Sequence, residues 1–495
     1  MGSRFPIIYV RGYAGTQGDV EETVDDPFYG FNLGSTHIRM DEQGLPEFYA
    51  FESPFVRLMT EHGYTDVFNG VVQAIDPEFV NPAQTIWIYR YYDPTSKTYD
   101  RPGGRRLTIE EAADGLRVFV QQVKDQTSAP KVYLIAHSMG GLVCRSLLQK
   151  IYPERGEDAR HHVDKLFTYG TPHSGIQFVG GGLLEKLRDA FGANDSNVFG
   201  PDRMYQFLTP GVNANTPAPA GFVPDVVPDA AFDVDRIFCI VGTNAKDYDV
   251  AGGLSRTAVG PQSDGLVQIE SASVHAAPRA YIYRSHSGRY GMVNSEEGYQ
   301  NLRRFLFGDL RVQMVLCDFD LDYSANTDSV QMTYQIEIQV AIRNSLILMH
   351  ERSRMHYCPI ALNQEQWVKQ RQKGLPLYTS FLLGKLAKNG NMRYMVRLAV
   401  YSQKFEQGFL SLRDHIERLP VWSDYLIAEL RPSDSPGHGW DAFYSWASDS
   451  HEPQTPLDVV DVSEDEVDAI ATLPAHGQAA LGGNAKIRFR TYPWT

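Results

Sequence analysis

One serine stands out in the stretch "KVYLIAHSMGGLVCR", residues 131–145. An apolar run that reads as a buried strand ends on His137, and Ser138 is followed by Met139, Gly140, Gly141 and a helical pattern. A strand that turns sharply into a helix lifts such a serine hydroxyl to the top of a sheet, provided small residues such as Ala136, Gly140 and Gly141 let strand and helix approach. The helix start adds an electrostatic element, because its unpaired N–H groups, that of Met139 first, can stabilise an oxyanion. The competing assignment is an ordinary serine N-cap. A serine hydroxyl becomes a useful nucleophile only when a histidine takes its proton and a carboxylate fixes that histidine. His286 in "YRSHSGRYG" and Asp264 in "SDGLV" both follow strand-like runs, where open α/β sheets build their sites. Asp247 and Asp249 also follow such a run, and His275 lies between Asp264 and His286, so these remain open alternatives. His173 and His275 read as loop or supporting residues, and His137 as packing beneath the serine.

The elements that must position these groups alternate along the first 308 residues. "PIIYV", "TIWIYRY", "KVYLIAH", "VDKLFTYG", "RIFCIVG" and "AYIYRSH" read as strands. Helical stretches lie between them, including "IEEAADGLRVFVQQVKDQ" with Thr108 placed to cap it. This alternation predicts a mostly parallel α/β sheet covered on both faces. After Gly308 the hydrophobic period changes to two: Val330, Met332, Tyr334, Ile336, Ile338, Val340 and Ile342 share one face. Residues 309–495 are therefore expected to form an antiparallel, all-β, sandwich-like domain. "SFLLGKLAKNGNMRYMVRLAVYS" reads there as two strands joined at an Asn-Gly turn, and the turn-rich stretch 431–456 as a long loop.

At 495 residues the chain has room for at least two cores. No apolar run approaches a bilayer-spanning length. A formal net charge of −14, with no Lys/Arg-rich stretch to offset it, argues against nucleic acid as a partner. Cys144, Cys239, Cys317 and Cys358 have no metal-ligand spacing and read as reduced core thiols. The start "MGSRFPIIYVRGYAG" shows neither a signal-peptide pattern nor a myristoylation pattern, since Pro6 stands where the latter wants Ser or Thr. The cytoplasm is the default expectation, with signal-independent secretion or a trimmed precursor left open.

Taken together, residues 5–308 resemble the α/β-hydrolase superfamily, and within it bacterial lipases and esterases. "AHSMGG" is similar to their nucleophile elbow, "VRGYAG" to their His-Gly oxyanion loop, "YGTPHSG" at 169–175 to a strand end beside their site, and "SDGLV" to their acid turn. Arg11 departs from the histidine usual in that loop. The resemblance implies a Ser138, Asp264, His286 triad, with the N–H groups of Tyr13 and Met139 as oxyanion donors. It implies hydrolysis of lipid or other hydrophobic acyl esters with no cofactor. The calcium ligand that many bacterial lipases carry two residues past the catalytic histidine is here Gly288, so no metal is expected. Residues 174–233 are expected to form a cap or lid. Its "GGLLEKLRDAF" stretch gathers Leu183, Leu184, Leu187 and Phe191 towards one face and Glu185, Lys186, Arg188 and Asp189 towards the other, which would also suit peripheral contact with a lipid surface. The same constellation would serve an amidase, thioesterase or acyltransferase, and a binding protein on a hydrolase scaffold is the reading from another class.

Overall fold

A computed structural model describes residues 4–12, 17–31, 35–40, 43, 45–69, 72–76, 79, 81–96, 107–176, 198–248, 259–288, 290–342, 347–386, 391–406, 415–432, 440–450, 452–462 and 466–495. Tyr13, Asp249 and the amphipathic stretch 181–191 lie outside the described residues. The chain divides into two compact units between Leu302 and Arg303.

All six sequence-predicted strands of the first unit form, as β1 (Ile7–Val10), β3 (Thr85–Tyr89), β4 (Val132–His137), β5 (Val163–Tyr169), β6 (Ile237–Gly242) and β7 (Arg279–Ile282). A seventh, the two-residue edge strand β2 (Thr65–Asp66), has too short a pattern to read from sequence. They pair in the order β7-β6-β5-β4-β1-β3-β2, every pair parallel. Near-continuous apolar runs are what such a sheet requires, since both faces are covered. Ile7, Ile8, Val10, Leu134, Ile135, Leu166 and Ile240 are accordingly inaccessible to solvent. Helix α1 (Ile109–Thr127) starts at a capping box, in which Thr108 Oγ1 accepts from Glu111 N and Glu111 Oε2 accepts from Thr108 N. It buries Ala112, Ala113, Leu116, Val120 and Val123.

Chain order reverses between β1 and β4. The path from β1 runs to one edge, and the path from β4 runs to the other. The carboxyl ends of these two strands therefore flank the crevice where an open α/β sheet holds its ligand. Helix α2 (Met139–Ser146) leaves β4 at this point and continues as a π-helical stretch, Leu147–Ile151. The parallel sheet, its strand order and this strand-to-helix turn define an α/β-hydrolase fold.

The second unit is built on two antiparallel sheets. One contains Leu375–Leu382, Leu310–Cys317, Lys486–Pro493, Val467–Thr472 and Asp458–Val462 in that order. The other is centred on Val330–Ile342, Met392–Glu406 and His415–Pro432. Tyr334, Ile336, Ile338 and Val340 are buried, as the period of two requires. The sheets meet where the His350 and Tyr378 rings approach to 4.5 Å and where Trp446 Nε1 donates to Thr472 O at 2.7 Å.

Two local expectations are corrected here. Leu375–Leu382 and Met392–Glu406 are not a hairpin: the first pairs with Leu310–Cys317 and the second with Val330–Ile342, so they lie in different sheets. The Asn-Gly signal is local, whereas partner choice follows the apolar sets that each strand buries. The predicted loop 431–456 contains a strand, Trp440–Trp446, because its aromatic residues pair with Leu426–Pro432 despite the surrounding turn formers. Two helices, Gln364–Lys373 and Ala475–Leu481, also interrupt the β pattern.

Candidate active site

Ser138 stands at the start of α2 with φ 54° and ψ −128°, a conformation a non-glycine residue adopts at a cost of about 1–3 kcal/mol. Three hydrogen bonds hold it there. Ser138 N donates to Tyr169 O at 2.8 Å, and Ser138 O accepts from Gly141 N at 3.0 Å and from Thr171 Oγ1 at 2.8 Å. The turn is tight enough that a Cβ on Gly140 would lie 2.4 Å from Val10 O. Ser138 makes no side-chain capping bond, which removes the ordinary N-cap assignment. Its Oγ instead lies 2.9 Å from His286 Nε2. Met139, the first residue of α2, has an amide with no intrahelical acceptor, beside that hydroxyl.

His286 follows β7 and is buried. Its Nδ1 is 2.8 Å from Asp264 Oδ2, and its backbone N donates to Asp264 O at 2.9 Å. Asp264 is inaccessible to solvent, and its Oδ1 accepts from Leu266 N at 3.0 Å and Val267 N at 2.8 Å. Each carboxylate oxygen thus has fixed donors, as a buried charge requires. The structure brings Ser138, His286 and Asp264 together in one hydrogen-bonded chain. It places the alternatives elsewhere: Asp247 is exposed and accepts from Asn244, while His275 is exposed and bonded through its backbone to Asp225 O.

His137 supports the chain from below. Its Nε2 is 2.9 Å from His286 O, and the two rings are 4.8 Å apart. A carbonyl only accepts, so Nε2 must carry the proton. Burial, then the neighbouring His286, holds the His137 imidazole well below the usual histidine range, which keeps it neutral. His173, buried against Thr168 Oγ1 at 3.2 Å and Cys239 Sγ at 3.6 Å, is likewise held low by burial and by Arg145. Among the described residues the serine hydroxyl is bonded to His286, and the bonds of His137 and His173 go to other groups.

Sequence reading missed three supports of this site. Gly170, at φ +53°, faces the acid and the histidine: a Cβ there would sit 2.9 Å from Asp264 Oδ2 and 3.1 Å from His286 Nδ1. Arg145, fully buried on α2, donates to His173 O at 3.1 Å, Pro224 O at 2.7 Å and Val226 O at 3.3 Å, tying the turn at 171–175 to a distant segment. Desolvation pushes its guanidinium down to about 10. The third is a tyrosine pair after β3, Tyr91 and Tyr92, whose hydroxyls lie against the backbone of Arg11 and Gly12. A glycine after the strand carrying the "TPH" turn was the one available sequence signal.

Arg11, which stands where the resembled lipases have histidine, uses its guanidinium to donate to Tyr29 O. Among the described residues no group of His, Cys, Asp and Glu is arranged to hold a metal ion, and none of the helices is long and apolar enough to cross a membrane.

Residues 108–193, which include β4, the serine turn and β5, match the family model of the PGAP1-like alpha/beta domain. No curated protein sequence matches the chain. Among solved structures, the chain is similar to Bacillus licheniformis lipase BlEst2 in its mature form, at 16% identity over 61% of this chain and 91% of that one, with a TM-score of 0.30. It is also similar to phospholipase PlaB from Legionella pneumophila, solved in complex with thio-NAD, at 12% identity over 83% and 91% of the two chains, with a TM-score of 0.33. Aspergillus fumigatus lipase B matches at 13% identity over 57% and 44%, with a TM-score of 0.26.

Proposed function

We propose that the protein is a serine hydrolase that cleaves carboxylic esters, with lipid or other hydrophobic acyl esters as its substrate class. The observation that carries the reading is the chain from Asp264 through His286 to Ser138, at 2.8 and 2.9 Å, with the serine hydroxyl free of any capping role. As Ser138 Oγ bonds to the ester carbonyl carbon, His286 Nε2 takes its proton. The carbonyl π pair moves to oxygen, where the Met139 N–H and the N–H of Tyr13, which follows Gly12, are assigned to receive it. Collapse of that oxyanion breaks the bond to the alkoxy group, which leaves with the proton from His286. Water then repeats the sequence on the acyl-serine and releases the acid. Asp264 holds His286 in the tautomer whose Nε2 is free to accept, and stabilises the imidazolium between the steps.

The acyl-lipid part of the reading is supported by the amphipathic pattern of residues 181–191, which would cover an apolar acyl pocket. The test is a fluorophosphonate probe followed by an ester panel graded by chain length. Labelling and turnover should both vanish in Ser138→Ala, and hydrolysis of long acyl esters should rise above the critical micelle concentration. Labelling that persists in Ser138→Ala would remove the nucleophile assignment. Faster turnover of amides or thioesters than of any ester would move the reading to another acyl-transfer class.

A further inference from the structure

The backbone beside the nucleophile is held by two phenols. Tyr91 and Tyr92 follow β3, and their buried rings lie 4.3 Å apart, centroid to centroid. Tyr91 Oη donates to Arg11 O at 2.9 Å, and Tyr92 Oη donates to Gly12 O at 3.2 Å. Tyr91 Oη also lies 3.4 Å from Gly12 O and 3.3 Å from Tyr92 Oη. Two hydroxyls carry two protons, so the allocation that satisfies both carbonyls is Tyr91 to Arg11 and Tyr92 to Gly12. Burial pushes the Tyr91 phenol well above the usual tyrosine range, so it remains a donor at any working pH.

Gly12 is the residue pressed against the nucleophile: a Cβ on it would lie 2.6 Å from Ser138 Cβ and 2.9 Å from His137 O. In a trans peptide the C=O and the following N–H point in opposite directions from one rigid plane. A hydrogen bond that fixes the Gly12 carbonyl therefore fixes the direction of the amide N–H carried by the same plane. Donation to the carbonyl oxygen also polarises that amide and strengthens its N–H as a donor. The Arg11 guanidinium donates to Tyr29 O.

From this geometry we propose that Tyr91 and Tyr92 are positioning residues of the oxyanion hole, aiming and polarising the peptide between Gly12 and Tyr13. The inference rests on the serine-hydrolase reading above. It is tested with Tyr91→Phe, Tyr92→Phe and the double variant, which keep both rings and remove the hydroxyls. The double variant is expected to lose roughly 10- to 100-fold in kcat on a p-nitrophenyl ester, a fraction of the loss on deleting an oxyanion donor outright, with KM changed less than about threefold. A peptidyl or alkyl trifluoromethyl ketone, which forms an oxyanion on the serine, should lose affinity by the same factor as kcat/KM. A purely structural role would lower the melting temperature without linking those two quantities. Retention of kcat within about twofold in the double variant overturns the inference. If the double variant fails to melt cooperatively, Tyr92→Phe alone carries the same comparison, because it removes the donor to Gly12 O. Activity that survives Ser138→Ala would sink the underlying reading instead, whereas loss in Ser138→Ala with full activity in the phenylalanine variants would sink only this inference.

Discussion

Replacing Asp264 by asparagine isolates the role of one charge, and the surrounding bonds set the size of the effect. In the native site Oδ1 accepts from Leu266 N and Val267 N, and Oδ2 faces His286 Nδ1 at 2.8 Å. An asparagine amide has one acceptor end and one donor end. Turning its NH2 towards the two backbone donors would leave both unsatisfied at about 1–3 kcal/mol each. Even about 2 kcal/mol keeps roughly 97% of molecules with the amide oxygen at the Oδ1 position. The NH2 group then points at His286 Nδ1, which must accept, and the imidazole proton moves to Nε2, facing Ser138 Oγ. In that tautomer His286 cannot take the serine proton. Orientation alone gives about a 30-fold loss of kcat, and the missing charge opposite the imidazolium extends it towards about 10,000-fold, or about 5.5 kcal/mol. The assay is steady-state hydrolysis of a p-nitrophenyl ester, with circular dichroism and a melting curve to establish that Asp264→Asn is folded. A folded variant with less than about a tenfold loss would refute the argument, because it would mean that the tautomer of His286 is set by something other than Asp264.

Gly170→Ala is expected to cost at least about tenfold in kcat and about 1–3 kcal/mol in urea stability, since its Cβ would crowd Asp264 Oδ2 at 2.9 Å in a φ +53° conformation. Unchanged turnover would show that the acid and histidine tolerate displacement. Lys165 on β5 is buried, and desolvation brings its ammonium down to about 7, below the range of an unfolded lysine. Between about pH 7 and 10 the folded chain therefore binds fewer protons than the unfolded one, so this group makes stability rise with pH there, by at most about 1.4 kcal/mol per unit. Lys165→Met should flatten that part of the stability curve as read by denaturant titration, and an unchanged curve would place the charge in contact with compensating groups.

What the sequence reveals and what it hides divide along chain separation. The six longer strands of the parallel sheet are legible because burial on both faces writes each one as an uninterrupted apolar run. The serine turn is legible because its demands, small residues at 136, 140 and 141 around a polar one at 138, fall within six positions. Asp264 and His286 are legible only as members of short lists, since being at a strand end does not say which strand ends meet. Gly170, Arg145, Tyr91 and Tyr92 act on residues between about 28 and 116 positions away in sequence, and no local pattern marks such a partner. The error at 375–406 has the same origin, a strong turn signal between strands whose apolar faces belong to different sheets.

The geometry also explains why so much of this site is main chain. The contacts that hold it rely on main-chain atoms: Ser138 N donates to Tyr169 O, His137 Nε2 to His286 O, and His286 N to Asp264 O. A main-chain group cannot swing to a new rotamer as a side chain does, so each contact fixes a direction as well as a distance. That rigidity offsets the strained backbone of Ser138, which persists because neighbours on β5 and α2 over-determine it. Arg11 and Gly12 lie beyond Val10, the last residue of β1. There the side-chain hydroxyls of Tyr91 and Tyr92, just past β3, take over the fixing role, donating to Arg11 O and Gly12 O where β1 supplies no ladder bond.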